Sequence, residues 1–267
     1  MNRTQYALFS PGNIAGMDLS NRLVRSSTWD PCLFHDQQMT REVLDLYRDL
    51  SLGGVGLIIS GGLPVYRERF PDEPPDMPFL TYSELQIQGL AELPTVVHRA
   101  RSDARIVAQL EVGYLDAGPS PILNPFSHQP VRPLSVEEIE RIIDCFVEGV
   151  RHMQACGFDG VQLHAAHGGL LSRFLSPYSN QRVDDFGGSL RNRVRIISEI
   201  VSRAREQVGK FPILVKMNGT DYLPGGIQLD NFPQLAREVA ASGVDAIEIS
   251  GGMWDCLLRP VEELDFR

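Results

Sequence analysis

The stretch "ACGFDGVQLHAAHGG", residues 155–169, passes from the end of a helical pattern through glycine into a short apolar run, and then into histidine and glycine. The segments "LGGVGLIISGG" (52–62) and "ASGVDAIEISGG" (241–252) repeat this order. A glycine in the left-handed conformation can end a helix, and an apolar run of this kind is typical of a strand that is buried on both faces. The three segments therefore predict three helix-to-strand units.

Three further runs complete a set of six predicted strands: "RLVRSS" (22–27), "ARIVAQLEVG" (104–113) and "FPILVKMNG" (211–219). Helical patterns lie between the strands, and they begin at Thr40, Ser135, Ser189 and Asp230. Ser135 and Glu138 have the spacing of a capping box, in which each side chain bonds the backbone of the other. Strands that alternate with helices in this way predict a parallel sheet with right-handed crossovers.

Such units form either an open doubly wound sheet or a (β/α)8 barrel. No GxGxxG motif follows the first strand, which disfavours a dinucleotide-binding open sheet. Chemically useful residues instead follow several strands: Ser26, Thr28, Gly61, Gly62, Gln109, His164, His167, Lys216, Ser250 and Gly251. Residues of this kind at the carboxyl ends of many strands are typical of the active face of a barrel. We therefore predict an α/β fold, a (β/α)8 TIM barrel of which this chain contains the first six strand–helix units.

The composition excludes some classes of partner. The 267 residues are 43% hydrophobic, which is ample for a buried core, and the net charge of −9 argues against a nucleic acid or an anionic membrane as partner. No secretory signal or apolar stretch of bilayer length is present, and the four cysteines form no CxxC pair. We expect a soluble, cytoplasmic protein with free thiols that acts on a small molecule.

The histidine pair allows more than one reading. His164 and His167 could be metal ligands, an acid/base pair, two N–H donors aimed at one oxygen, or structural histidines with satisfied hydrogen bonds. No third ligand lies nearby at a spacing expected for zinc, so the residues favour a site without metal.

The segment "HAAHGGLLSRFLSPYSNQRVDDFGGSLRNR" (164–193), together with "NRLVRSS" (21–27), "GGVGLIISGG" (53–62) and "AQL" (108–110), resembles the Old Yellow Enzyme family. This family comprises NADH:flavin oxidoreductases and FMN-dependent ene-reductases, and the resemblance extends over residues 8–252. It implies a barrel that carries FMN at its carboxyl-terminal mouth. It further implies that NAD(P)H reduces the flavin, which passes hydride to an activated alkene or a related electron-poor acceptor.

The resemblance also implies roles for particular residues. His164 and His167 match the catalytic pair that donates hydrogen bonds to the acceptor's oxygen, which makes the β-carbon of an enone more electrophilic. Gln109 matches a side chain on the pyrimidine edge of the flavin, and Lys216 matches a cation beside the same ring. The full set of residues expected to bind FMN is Ser26, Ser27, Thr28, Gly61, Gln109, Lys216, Ser250 and Gly251, with no metal ligand.

Two positions depart from the family pattern. Gly169 stands where the family usually has a tyrosine that protonates the α-carbon of the substrate. The proton must then come from water or from another side chain, such as Tyr178 or Tyr114, or the step is lost. Trp29 stands where relatives often have a threonine or cysteine near the flavin, and Cys32 could substitute weakly for that group.

The sequence ends after six predicted strands, and the family's strands seven and eight carry the loops that hold the FMN phosphate. We therefore expect residues 1–267 to form a single FMN-binding domain that is truncated before those two strands. An alternative is an incomplete or catalytically silent barrel that binds FMN weakly or needs a partner chain. A metal-dependent barrel hydrolase is a third reading, and the family also suggests a homo-oligomer.

Overall fold

The computed structural model describes residues 6–28, 34–35, 38–65, 84–112 and 116–264. The elements in chain order are β1 (Gly12–Ile14), β2 (Met17–Leu19), β3 (Val24–Arg25), β4 (Phe34–His35), β5 (Gln38–Met39), α1 (Arg41–Leu52), β6 (Leu57–Pro64), α2 (Glu84–Ala100), β7 (Arg105–Glu111), β8 (Ala117–Gly118), β9 (Arg132–Pro133), α3 (Val136–Ala155), β10 (Gly160–Ala165), α4 (Leu170–Leu175), α5 (Leu190–Val208), β11 (Ile213–Thr220), α6 (Phe232–Ala241) and β12 (Ala246–Gly251).

Six of these strands form one parallel sheet in the order β3-β6-β7-β10-β11-β12. Each of the four inner strands therefore pairs with the strand before it and the strand after it in this series, and β3 and β12 form the edges. A doubly wound sheet would instead reverse its order at a switch point. The sequential order is that of a (β/α)8 barrel, and the predicted parallel barrel with six strands is confirmed.

The glycine signals that predicted the helix-to-strand units are also confirmed. Gly54, Gly157 and Gly243 have φ values of +93°, +89° and +89°, a conformation that side chains with a Cβ rarely adopt. Two residues after the second and third of these glycines stand Asp159 and Asp245. Each of these aspartates accepts a hydrogen bond at 2.8 Å from the backbone N–H that begins a neighbouring strand.

Three of the four predicted helix starts are confirmed. Thr40 and Ser189 cap α1 and α5, and Ser135 forms the expected capping box with Glu138 at the start of α3. Helix α6 begins later than predicted, since Asn231 is its cap.

Helices α2 and α4 were not predicted, because α2 contains Pro94 and α4 has six residues within a glycine- and serine-rich stretch. The proline-rich stretch 67–78, expected to be a loop, lies outside the described residues.

The core has two parts. The larger part fills the space between the outer face of the sheet and helices α1, α2, α3, α5 and α6. The smaller part lies inside the curve of the sheet, where Leu57, Ile59 and Val107 pack against Met17 and Leu19 of the β1–β2 hairpin. The hairpin therefore closes the amino-terminal end of the barrel interior, and the carboxyl-terminal end is left for polar side chains.

The outer strands of the sheet are less covered than the inner ones. Strand β11 is buried along its whole length, whereas β12 is buried at none of its six residues, and Ile249 keeps 62% of its surface exposed. At the other edge, Val24 of β3 is 47% exposed. In the described part of the chain, these two edges have no further strand beside them. No described helix is both long and apolar enough to span a membrane.

Candidate active site

A cavity of about 570 Å³ opens at the carboxyl ends of the strands. Its walls are formed by Ser27, Gly62, Gln109, Glu111, Phe126, His164, His167, Gly169, Lys216 and Trp254. This volume lies within the range of small-molecule sites, which typically have an apolar lining and a few convergent polar groups. Phe126 and Trp254 form an aromatic part of the wall, with ring centroids 5.7 Å apart.

The two histidines of the sequence motif share this cavity, and their ring centroids are 5.3 Å apart. His164 lies near the end of β10, whereas His167 follows the strand with a φ of +60°. The left-handed backbone is unusual for a residue other than glycine, so its surroundings must hold it. Asn218 accepts a bond from the His167 backbone N–H at 3.2 Å, and Ser250 Oγ lies 2.6 Å from His167 Nε2.

Both imidazole rings are neutral near pH 7. Burial lowers the pKa of His164 to about 3, assisted by His167 when that ring is protonated and by the positive charge of Lys216. Burial also lowers the pKa of His167, again with Lys216 contributing. A neutral imidazole carries one N–H donor and one acceptor nitrogen. His164 Nδ1 is buried without a hydrogen-bond partner among the described residues, an arrangement that costs roughly 1–3 kcal/mol unless a ligand supplies the partner.

A chain of polar side chains crosses the barrel interior beneath the cavity. Ser27 Oγ donates to Gln109 Oε1 at 2.9 Å, and Gln109 Nε2 donates to Gln162 Oε1 at 2.8 Å. Gln162 Nε2 then donates to Glu248 Oε2 at 2.7 Å. Because each amide both accepts and donates, the orientation of Gln109 is fixed from both sides.

Lys216 completes this network with an ion pair. Its Nζ donates to Ser26 Oγ at 2.8 Å and lies 3.2 Å from Glu248 Oε1, while Ser26 Oγ also donates to Glu248. Burial by itself would raise the pKa of Glu248, but hydrogen bonds from Ser26 and Gln162 and the charge of Lys216 outweigh burial and lower it. Glu248 is therefore ionised, and it offsets the positive charge of Lys216 at the cavity wall.

The structure brings together some of the residues predicted from the sequence and not others. Those that line the cavity are Ser27, Gly62, Gln109, His164, His167 and Lys216. Ser26 bonds Lys216, and Ser250 bonds His167, so each contacts a cavity residue. Thr28, Gly61 and Gly251 do not line the cavity: Thr28 bonds the Ser26 carbonyl, the Gly61 N–H donates to Tyr47 Oη at 2.7 Å, and Gly251 lies against the Tyr222 ring.

Sequence reasoning missed three polar residues of the site: Glu111, Gln162 and Glu248. Each stands two positions along a strand from a residue that was predicted, namely Gln109, His164 and Ser250. Alternate residues of a strand face the same side, so this period of two was the signal that could have found them.

The candidate proton donors can also be placed. Gly169 lines the cavity beside His164, whereas Tyr178 does not line it. Tyr114, Trp29 and Cys32 lie outside the described residues. Across the described ranges, no group of three or more His, Cys, Asp or Glu side chains is arranged to hold a metal ion.

The fold is a six-stranded parallel part of a (β/α)8 barrel, with a polar cavity at the carboxyl ends of its strands. The chain matches the NADH:flavin oxidoreductase / NADH oxidase family over residues 7–254, and we conclude that it belongs to this family. This confirms the resemblance stated above. A solved old yellow enzyme homologue from Zymomonas mobilis shares the fold and superposes with a TM-score of 0.77 at 23% identity. That alignment covers 92% of this chain and 74% of the homologue.

Relatives with assigned activities differ in length. The chain is 33% identical over 257 residues to an NADPH dehydrogenase of Geobacillus sp. (strain WCH70), covering 92% of this chain and 73% of the relative. It is 30% identical over 269 residues to an NADH oxidase of Thermoanaerobacter brockii, covering 97% of this chain and 41% of that protein. The chain thus spans about two-fifths of the longer relative. Members of the family are FMN- and NAD(P)H-dependent oxidoreductases.

Proposed function

We propose that this protein is an FMN-dependent oxidoreductase that passes hydride from NAD(P)H to an activated alkene or a related electron-poor acceptor. The observation that carries the proposal is the convergence of His164, His167, Gln109 and Lys216 on one cavity. Two neutral imidazoles, an oriented amide and a cation are the groups that a flat redox cofactor and a carbonyl-bearing acceptor need together.

The residues fit the ring system of FMN. The Gln109 amide is held in place by Ser27 and Gln162, so it can face a heterocycle edge with donor and acceptor groups. Lys216 is 95% buried and forms an ion pair with Glu248, and a basic side chain at this place suits a ring that becomes anionic when reduced. When bound, FMN would take hydride from NAD(P)H and deliver it to the acceptor. We assign no residue to the FMN phosphate.

The histidines would bind the acceptor. His164 Nδ1 has no hydrogen-bond partner among the described residues, and the ring is fixed on the rigid strand β10. His167 is oriented by Ser250 through its Nε2 and by Asn218 through its backbone. Hydrogen bonds from two neutral rings to a carbonyl oxygen withdraw electron density from the conjugated alkene. The β-carbon then accepts hydride more readily, and the charge that develops on the oxygen is stabilised.

A second candidate is a barrel that binds FMN weakly by itself or binds it together with a partner chain. The observation that favours it is the half-exposed strand β12, which has no neighbour on its outer side in the described part of the chain. The homo-oligomer and the cytoplasmic location remain predictions.

Reconstitution with FMN tests the proposal. We expect the purified chain to bind FMN, to be bleached by NAD(P)H without oxygen, and to regain its yellow colour when 2-cyclohexenone is added. His164→Ala and His167→Ala should leave bleaching unchanged and slow reoxidation by the enone by about 10²-fold or more, the size of the effect when one donor to a developing oxyanion is removed.

His152→Ala, on the outer helix α3, is the matched control and should change neither step. A chain that binds FMN tightly but is not bleached by NADH or NADPH would refute the proposed activity. A chain that binds FMN only when a partner chain is added would support the second candidate.

A further inference from the structure

We propose that Glu111 is the general acid that protonates the acceptor. It would replace the tyrosine that the family usually has at the position of Gly169. This inference rests on the proposed function, because it concerns the second half of the same reaction. Three observations carry it: the position of Glu111 on the cavity wall, the absence of a partner for its carboxyl group among the described residues, and the acid–base state of its neighbours.

Glu111 is the last residue of β7 and lies between the strands that carry Gly62 and His164. The register pairs Leu110 with Leu163, so one step further along the strands places Glu111 beside His164. Its carboxyl group lies over Gly62, where an added Cβ would come within 2.4 Å of the Glu111 Cδ. Glycine at position 62 therefore makes room for this carboxyl group at the cavity wall.

The α4 side of the cavity is anchored to the same strand end. Leu170 N donates to the carbonyl of Val112, the residue after Glu111, at 2.9 Å. A Cβ on Gly169 would lie 3.4 Å from the same carbonyl and 3.7 Å from His164 Cδ2. Glu111 thus reaches the cavity from the strand adjoining the position of the family's tyrosine, next to the proposed oxygen-binding ring of His164.

The carboxyl group of Glu111 makes no hydrogen bond or ion pair with any described residue. Structural carboxylates in this protein do make such bonds: Asp159 and Asp245 each bond a backbone N–H and a basic side chain. Burial raises the pKa of Glu111, and no neighbouring charge opposes this effect. An unpaired acid with a raised pKa at a cavity wall has the properties of a proton donor. It keeps its proton until the α-carbon of the acceptor becomes basic on hydride transfer.

The other titratable groups at the cavity wall are less suited to this step. His164 and His167 are neutral imidazoles, which are very weak acids, and they are assigned to the acceptor's oxygen. Lys216 is engaged with Ser26 and Glu248. Glu111 is the remaining charged or titratable side chain among the described residues that line the cavity.

The reaction then balances as follows. The alkene receives two electrons and one hydrogen as hydride at its β-carbon, and the C=C π bond breaks. The electron pair of that bond takes the Glu111 proton at the α-carbon, which forms a second C–H bond and leaves Glu111 as a carboxylate. The open side of the cavity lets water return a proton to Glu111 before the next turnover.

The test compares Glu111→Gln with the wild-type protein, both loaded with FMN. Glutamine keeps the shape of the side chain but has no acidic proton. We expect bleaching by NAD(P)H to be unchanged and reoxidation by 2-cyclohexenone to fall by about 10²-fold or more, the usual contribution of a general acid. Reoxidation by ferricyanide, which needs no proton on carbon, should be unchanged. Glu206→Gln, the same change at an exposed position of α5, is the matched control.

A second readout needs no turnover. In the cofactor-free protein, infrared titration should show protonated carboxyl absorption that persists above the pH at which ordinary glutamates ionise. Burial also raises the pKa of Asp221, so Glu111→Gln should remove only the Glu111 component, seen in the wild-type minus variant difference spectrum. In the loaded protein, the wild-type reoxidation rate should fall as the pH rises through the same titration, and this limb should be absent from the variant.

The outcomes separate the two proposals. If the wild-type protein is not bleached by NAD(P)H, the proposed function fails. If bleaching is normal and Glu111→Gln reoxidises with the enone at the wild-type rate, the role of Glu111 is refuted although the proposed function stands. Loss of FMN affinity in Glu111→Gln would make Glu111 a cofactor contact and would also overturn the role. Recovery of enone reoxidation in Glu111→Gln/Gly169→Tyr would support it, since a phenol then supplies the proton.

Discussion

The hydroxyl group of Ser26 donates a hydrogen bond to the carboxylate of Glu248, although the two residues belong to opposite edges of the six-stranded sheet. In a flat sheet, five strand spacings of about 4.8 Å would separate these edges by about 24 Å. Two short side chains cannot span that distance. The contact therefore requires the strongly curved sheet of a barrel, and it joins the edges through the interior next to Lys216.

The contact between Ser26, Glu248 and Lys216 also predicts how the protein sets the reduction potential of a bound flavin. In Glu248→Gln the positive charge of Lys216 loses its counter-charge, so an anionic reduced ring beside it should be stabilised. We expect the two-electron reduction potential of bound FMN to rise by roughly 30 mV or more, which corresponds to about 1.4 kcal/mol. A spectroelectrochemical titration of the FMN-loaded variant measures this change.

Ser26→Ala is the control for that experiment, because it removes one hydrogen bond and leaves both charges of the Lys216–Glu248 pair in place. Its potential should stay near the wild-type value. An unchanged or lower potential in Glu248→Gln would show that the charge of Lys216 does not act on the flavin.

The buried imidazole of His164 predicts a loss of stability in acid. Its pKa is about 3 in the folded protein, compared with about 6.5 in an unfolded chain, so the unfolded chain binds the proton first as the pH falls. The stability due to the neutral ring is complete above pH ~6.5 and is lost as the pH falls toward 3. As the pH falls from 6.5 to 5, protonation of His164 in the unfolded chain should lower the free energy of unfolding by roughly 2 kcal/mol.

Urea unfolding at pH 7 and pH 5 measures this effect. His164→Asn has no titrating ring at the site, so its unfolding free energy should fall by about 2 kcal/mol less than that of the wild type. An equal fall in both proteins would mean that His164 is accessible to protons in the folded state.

Much of the fold could be predicted because its signals are local. The glycines before β6, β10 and β12 and the capping residues of α1, α3 and α5 act within a few residues of themselves, so sequence spacing is enough to recognise them. Asn231 replaced Asp230 as the cap of α6, since two adjacent residues of similar capping ability differ only in the backbone path that tertiary packing selects.

The site was less predictable, because its polar contacts join distant parts of the chain. Gln109 and Lys216 were identified from their positions after predicted strands, and the resemblance supplied their roles. Their partners Gln162 and Glu248 are 53 and 32 residues away from them in sequence and were missed. Which side chain of one strand meets which side chain of another depends on register and curvature, and no short motif encodes either. Ser250 was expected at the cofactor, and its contact with His167 was not foreseen because it joins residues 83 positions apart.

The close packing around Gly56 predicts that a side chain at this position lowers the stability of the fold. A Cβ at this position would lie 2.4 Å from the backbone oxygen of Asn21, whose side chain already bonds the Gly56 N–H at 3.0 Å. We expect Gly56→Ala to reduce the free energy of unfolding by ~1–3 kcal/mol, since backbone must move to relieve the overlap. Gly12→Ala is the matched control, because its nearest new contact is at 3.9 Å, and denaturant unfolding of both variants should show a clearly smaller effect.

Gly169→Tyr should add a proton donor at the position where the family usually has one. Gly169 has a φ of −58°, and the nearest contacts of an added Cβ are 3.4 Å or longer, so the backbone accepts a side chain that begins beside His164. A phenol there can protonate the α-carbon in parallel with Glu111, and we expect turnover with a simple cyclic enone to rise several-fold. Steady-state assays of the FMN-loaded variant measure the gain. Gly169→Ala supplies the same Cβ without the phenol and should match the wild type; an equal gain in both variants would assign it to the backbone of α4 and not to proton transfer.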